Sequence, residues 1–223
     1  MRDDSNKTSL EFSTRNAKIV ACRRCLRLVA WREEIGQIKR KSFENWDYWA
    51  KPVPDFGDAS AERLIVGLAP AAHGANRTGQ MFTGDRSGDW LYRALHKASA
   101  ANVPKAESIA DGLALKGVLI TAACHCAPPD NKPTPDELRN CGDYLHELLL
   151  SRNWISVLCL GSIAWERVLR ELGERRRPFS HMAEVNTCPG IRIVGSYHPS
   201  QQNTFTGRLT EEMLDAAVRR FLE

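Results

Sequence analysis

The chain has 223 residues, 43% of them hydrophobic and 26% charged, with a formal net charge of +4. That suits one sizeable α/β core of ordinary globular composition, and so mild a basic excess permits a nucleic-acid partner without demanding one. No apolar run is long enough to span a bilayer and the N-terminus has no apolar export segment, so the expectation is a cytoplasmic protein with no membrane partner.

Residues from about Ser13 to Gln37 place apolar side chains at mixed helical spacing and predict a helical segment around the pair Cys22 and Cys25. The aromatic, Pro-rich stretch ENWDYWAKPVPDFGD predicts an ordered non-helical segment, with Trp46, Tyr48 and Trp49 as packing residues. From there the pattern is regular. RLIVGLA predicts a strand, SGDWLYRALHKAS a helix, and GVLITAACHC a strand that Cys126 ends. TPDELRNCGDYLHELLLSR predicts a helix capped by Thr134, with Pro135 in its first turn and Glu137 completing a capping box. ISVLCLG predicts a strand and SIAWERVLREL a helix capped by Ser162. IRIVGSYH predicts a strand, and TEEMLDAAVRRFL a closing helix capped by Thr210.

Short β-branched strands alternating with helices predict an α/β fold, three-layer α/β/α, around a central, mostly parallel four-stranded sheet. No repeat or linker interrupts the chain, so residues 1–223 read as a single domain with an N-terminal cysteine-bearing segment. Ligands of such sheets sit beyond the carboxyl ends of the strands. Three polar loops leave those ends, Gly67–Asp85, Ala127–Pro133 and His198–Gly207, and are expected to converge on one cleft. The first is far longer than a plain connector needs, so something besides connection sets its composition.

Seven cysteines, an odd number in a chain without an export signal, argue against structural disulfides. Cys22, Cys25, Cys126 and Cys141 would make a set of four soft ligands if the N-terminal segment packs beside the second strand's end. Tetrahedral zinc or an iron–sulfur cluster would suit such a set. Cys124 shares a strand face with Cys126 and is a rival ligand, while Cys124, Cys159 and Cys188 also read as small core residues. Other residues have two readings as well. Asp85 suits a helix cap. His198, between a strand and a rigid Pro, is either a backbone-bonded His or an acid–base group. Phe82 reads as a loop anchor and Asn131 as a turn former.

The stretches GLAPAAHGANRTGQMFTGDRSGDWLYRAL, CAPPDNKPTPDEL and SYHPSQQNTFTGRLT, in that order, resemble type B (family 5) uracil-DNA glycosylases, and YWAKPVPDFGD resembles their upstream segment. The resemblance covers nearly the whole chain. It implies the fold derived above and a structural [4Fe–4S] cluster on Cys22, Cys25, Cys126 and Cys141. It also implies a DNA substrate whose uracil is flipped out of the stack into a pocket. Gly67, Ala69, Pro70 and Ala71 would wall that pocket, with His73 and Asn76 as further pocket residues. Phe82 would stack on the base, and Asn131 would touch the base or an adjoining nucleotide. Asp85 would place the attacking water and favour the sugar cation, while His198 would hydrogen-bond the base carbonyl and steady the leaving anion. Arg77, Lys132, Ser200 and Arg208, on the three loops, would hold phosphates. In SQQNTFTGRLT, Phe205 and Leu209 are the apolar options for a wedge into the duplex.

The expected protein is thus a monomeric, monofunctional DNA-repair enzyme that hydrolyses the N-glycosidic bond and leaves an abasic site. The strand TAACHC lacks the Asn with which type A relatives read uracil, which extends the expected range to hypoxanthine, xanthine and other deaminated bases. Two other readings stand beside this one. The first is a nucleic-acid-binding protein of the same fold with weak or lost catalysis. The second is a small hydrolase using Asp85 and His198, which no nucleophile elbow or Walker motif supports.

Overall fold

The computed structural model describes residues 2–187 and 190–223, so the expectation that Cys188 packs in the core lies outside the described residues. The N-terminal segment forms two helices, α1 (Arg2–Val20) and α2 (Leu26–Ile38). The single helical segment expected there breaks between Cys22 and Cys25, because Cys25 takes an extended conformation as the N-cap of α2. Both thiols therefore sit on the turn between the helices.

Six strands follow: β1 (Phe56–Gly57), β2 (Arg63–Gly67), β3 (Val118–Ala122), β4 (Ser156–Leu160), β5 (Glu184–Asn186) and β6 (Arg192–Ser196). Their order across the sheet is β1-β3-β2-β4-β6-β5. The inner four are parallel and are the four strands the sequence predicts. The short edge strands β1 and β5 pair antiparallel and extend the sheet to six. Two- and three-residue strands carry no hydrophobic period, which is why the sequence did not mark them. β3 stops at Ala122, so Cys124 and Cys126 lie past the strand and not on it. The Cys124 amide instead donates to the Leu68 carbonyl, drawing this turn along the start of the first loop.

Helices cover both faces. Ile65, Ile120, Leu158 and Val194 meet α4 (Arg86–Lys97) and α8 (Glu211–Leu222), while Leu64, Val66, Leu119 and Val157 meet α5 (Pro135–Leu150) and α6 (Ser162–Glu171). The alternation is the two-residue period of a strand, with both faces apolar because both are covered. Thr134 and Glu137 form the expected capping box on α5, and Thr210 caps α8. Ser162 does not cap α6. Gly161, at φ 95°, holds the N-cap position and offers no side-chain oxygen.

Partly buried ionic contacts tie the N-terminal pair to the start of β1 and to α5. Arg15 Nε donates to Asp55 Oδ2 at 2.6 Å, and Arg27 grips both oxygens of Glu137 at 2.8 and 2.6 Å. Glu137 therefore serves both the α5 cap and the docking of α2, which brings Cys141 of α5 towards Cys22 and Cys25. Thr134→Ala is expected to cost about 1 kcal/mol. A urea titration should show a lower midpoint with an unchanged slope.

Candidate active site at the carboxyl edge of the sheet

The first and third loops meet above the sheet. The rings of Phe82 and His198 stack with centroids 6.0 Å apart and planes 28° from parallel. Phe82 has φ 54°, a conformation that a bulky side chain avoids unless its surroundings impose it. Two glycines leave room for it. A Cβ on Gly67 would lie 2.8 Å from Phe82 Cζ, and one on Gly88 would collide with the Phe82 carbonyl. Gly67 thus makes room for the aromatic ring that the loop carries.

Asp85 is the N-cap of α4, and the Gly88 amide donates to its Oδ1 at 3.0 Å. The cap reading is correct, and it engages only one carboxylate oxygen. The other lies against Gly74, where any Cβ would clash with it. Burial pushes the Asp85 carboxyl above the ordinary Asp range; the amides of Gly88 and Ser87 and the charge of Arg77 oppose that rise, while Asp89 adds to it. Burial pushes the His198 imidazole down to about 4, so it is neutral at neutral pH. The site accordingly pairs an acid whose charge is costly with an imidazole that donates without being a cation.

Beside His198 opens a cavity of about 320 Å³, lined by Leu68, Gly161, Ser162, Tyr197, His198 and Arg208. The Arg208 guanidinium lies over the Tyr197 ring at 4.6 Å. Gly161 and Ser162 were not among the expected site residues. The turn after β4 is too short to stand out in composition, although the strand-end rule includes it.

Other expected residues are placed differently. Asn76, in α3 (Ala75–Thr78), is fully buried, with its Nδ2 3.4 Å from the carbonyls of Arg32 and Ala72, so it does not line the cleft. Arg77, next to it, is 3% exposed and cannot reach a phosphate. His73 is half-buried and shares a 3.0 Å hydrogen bond with the Tyr48 hydroxyl through Nδ1. Ala69 packs on the cysteine cluster, Pro70 is buried, and the Ala71 carbonyl accepts the amides of Gly74 and Asn76. The second loop ends in an exposed turn where Asn131 has φ 55°, and among the described residues Lys132 forms no ion pair and neither residue touches Phe82, Asp85 or His198. Ser200 caps α7 (Gln201–Phe205), and Arg208 is exposed. Leu209 is fully buried and cannot be a wedge; Phe205 is 67% exposed, with Arg86 over its ring at 4.5 Å.

Away from this cleft, Cys22, Cys25, Cys124, Cys126 and Cys141 line one small cavity. Among the described residues, no group of three or more His, Cys, Asp or Glu stands close enough to hold a single metal ion. Arg32 reaches into the cluster although it is 2% exposed, donating to Cys126 Sγ at 2.9 Å and the Cys22 carbonyl at 3.3 Å. Its nearest carboxylate oxygen, on Glu33, is 3.9 Å away. A guanidinium so buried is costly unless partnered, and the Cys126 sulfur is its partner here. The His125 amide points at Cys141 Sγ (3.3 Å) and Asn140 Nδ2 at Cys25 Sγ (3.6 Å), two further donors aimed at sulfur.

The electrostatics of Asp85 predict a stability effect with a definite sign. Its folded pKa is raised above the ordinary Asp value, so the full cost to stability is present above the raised pKa, shrinks as the pH falls from there to the ordinary Asp range, and vanishes below that range. Asp85→Asn keeps a good cap and removes the charge, and should melt higher than the wild type at neutral pH. That advantage should shrink as the pH falls through the carboxyl's raised pKa, whereas Asp85→Ala, which loses the cap, should melt lower than Asp85→Asn throughout.

A family model, the Uracil DNA glycosylase superfamily, matches residues 54–222. A type-5 uracil-DNA glycosylase of Mycobacterium leprae is 51% identical, covering 92% of this chain and 91% of the relative. One from Thermus thermophilus is 51% identical (87% and 90%), and one from Pyrobaculum aerophilum 46% identical (91% and 88%). With identity this high over nearly the full length of both chains, the protein belongs to the type-5 uracil-DNA glycosylases of the uracil DNA glycosylase superfamily.

Proposed function

We propose that the chain is a DNA-repair glycosylase that extrudes uracil and hydrolyses its N-glycosidic bond at the Phe82–Asp85–His198 cleft. The observation that carries the reading is the joining of two loops by one stack: Phe82 lies on His198, and Asp85 follows three residues later at the start of α4. Breaking the bond between C1′ and the base nitrogen leaves positive charge on the sugar and negative charge on the base. The Asp85 carboxylate stabilises the first and orients a water. The water oxygen bonds to C1′, and its proton passes to the carboxylate. Neutral His198 donates a hydrogen bond to the base oxygen on which negative charge grows. The exposed Phe205 ring, backed by Arg86, is suited to fill the space the base vacates. The end of β3 and the residue after it, Thr121 to Ala123, offer no amide side chain to read uracil strictly, which supports release of hypoxanthine and xanthine as well.

The cysteines support a [4Fe–4S] cluster on Cys22, Cys25, Cys126 and Cys141. A single zinc ion draws its thiolates to within about 4 Å of one another. The donor spacing here suits no single ion, and Arg32, His125 and Asn140 supply the cation and N–H groups that an anionic sulfur cluster takes up. Such a cluster would clamp α2 to α5 and supply no step of the reaction.

Base release from uracil-containing duplexes tests the reading. His198→Gln is expected to lower the rate by about 100-fold. The wild-type rate should fall on acidification through the raised pKa of Asp85, at a higher pH than an ordinary Asp would set. Absence of release from uracil, hypoxanthine and xanthine substrates alike would leave only DNA binding. For the cluster, purified protein should show a broad visible band at about 400 nm that Cys141→Ser abolishes.

A further inference from the structure

The long first loop is closed by one guanidinium. Arg77 donates from Nε to the His73 carbonyl at 2.8 Å and from Nη2 to the Gly84 carbonyl at 3.1 Å, so it spans both ends of the stretch that delivers Asp85. Gly84 immediately precedes Asp85, and Arg77 occupies the space that a side chain on Gly84 would need. The guanidinium lies against two rings, Phe43 at 4.0 Å and Trp46 at 3.9 Å, which stand edge to face at 79° to one another. Both rings come from the segment that follows α2. Its backbone meets the same loop again, where the Trp49 amide donates to the Arg77 carbonyl at 2.9 Å.

The charge on Arg77 has no dedicated partner. Nη1 is buried without a hydrogen bond, and among the described residues no carboxylate forms an ion pair with Arg77. Burial disfavours the charged form of Arg77 and lowers its pKa, and the Tyr48 phenol, Glu107 and Asp85 oppose that fall. The two rings favour a cation at this position, and that charge also acts on Asp85. The groups facing Asp85 are Arg77 from α3, Asp89 from α4, and the amides of Ser87 and Gly88. Tyr92, also in α4, stands near enough to feel the carboxylate. Arg77 is the cation in that set.

We propose that Arg77 is a positioning residue for the catalytic carboxylate. Its fork fixes where Asp85 points, its charge favours the carboxylate form of Asp85, and the Phe43–Trp46 pair is the clamp that aims the fork. The inference rests on the reading of Asp85 as the water-placing carboxylate. It replaces the phosphate contact that the sequence suggested for Arg77.

The test is single-turnover uracil release against pH, with KM for a uracil duplex and its salt dependence, in R77K, R77M, W46F and W46L. R77M should lose about 100-fold in rate with KM nearly unchanged, and its acid limb should move to higher pH. R77K keeps the charge but not the two-pronged bond. Its rate should fall by about tenfold with the acid limb close to wild type. W46F keeps a ring and should restore most of the rate that W46L loses. The salt slope of KM should not change in any of them, whereas loss of a phosphate contact would reduce it by about 1. If R77M does not fold, R77K and W46L decide the matter by the same rate and KM readouts. Unchanged rates in the folded Arg77 variants, with D85N inactive on a uracil duplex, would overturn this inference and leave the glycosylase reading standing. A fully active D85N would overturn both.

Discussion

The proposed reaction depends on keeping a carboxylate charged where burial favours its neutral form. Asp85 sits at the start of α4, and burial is the largest influence on its ionisation. The surrounding chain is arranged against that influence. The helix start presents the amides of Gly88 and Ser87, and its dipole favours a negative charge there. Arg77 faces it from the adjoining loop. Gly74 lets the backbone close over the second oxygen, and Gly88 lets the Phe82 carbonyl pack against the first turn. The sequence G-A-N-R-T-G-Q-M-F-T-G-D thus follows from one electrostatic problem and one packing problem, solved in the same loop.

The N-terminal helices brace that loop from behind. Arg15 and Arg27 fasten them to Asp55 and Glu137, and the Asn76 amide reaches the Arg32 carbonyl in α2. The Ala50 amide donates to the Asn76 carbonyl at 3.0 Å, so α3 is bonded on both sides to the segment that leaves α2. A group that clamps Cys22 and Cys25 to Cys126 and Cys141 would steady this same segment. The cysteines can therefore matter to the cleft through support of α3, with no part in bond breaking.

Much of this was legible in the sequence, and the rest was hidden for identifiable reasons. The four parallel strands, their covering helices and the caps at Thr134 and Thr210 follow from hydrophobic period and helix-start chemistry, which are local. The edge strands are too short to carry a period, and Gly161 replaced Ser162 as a cap because the tight turn needs φ 95° there. The roles expected of Asp85, His198 and Phe82 rest on the resemblance to a known family, because the residues alone read Asp85 as a helix cap and Phe82 as a loop anchor; the strand-end rule gives only the loops that carry them. Arg77 and Asn76 were misjudged for one reason: a polar residue in a loop usually faces water. Burial of both depends on Phe43, Trp46 and Arg32, which are distant in sequence and which no local pattern ties to the loop. Leu209 and Phe205 show the same limit, since only the packing of α8 decides which apolar residue is inside.

The most direct test of the account is a crystal structure of Asp85→Asn bound to a duplex containing one uracil. The account predicts the uracil extruded from the stack against the Phe82 ring, an oxygen of the base within hydrogen-bond distance of His198, and C1′ facing residue 85. An extruded base lodged away from Phe82 and His198, or a duplex bound with its uracil still stacked, would contradict it.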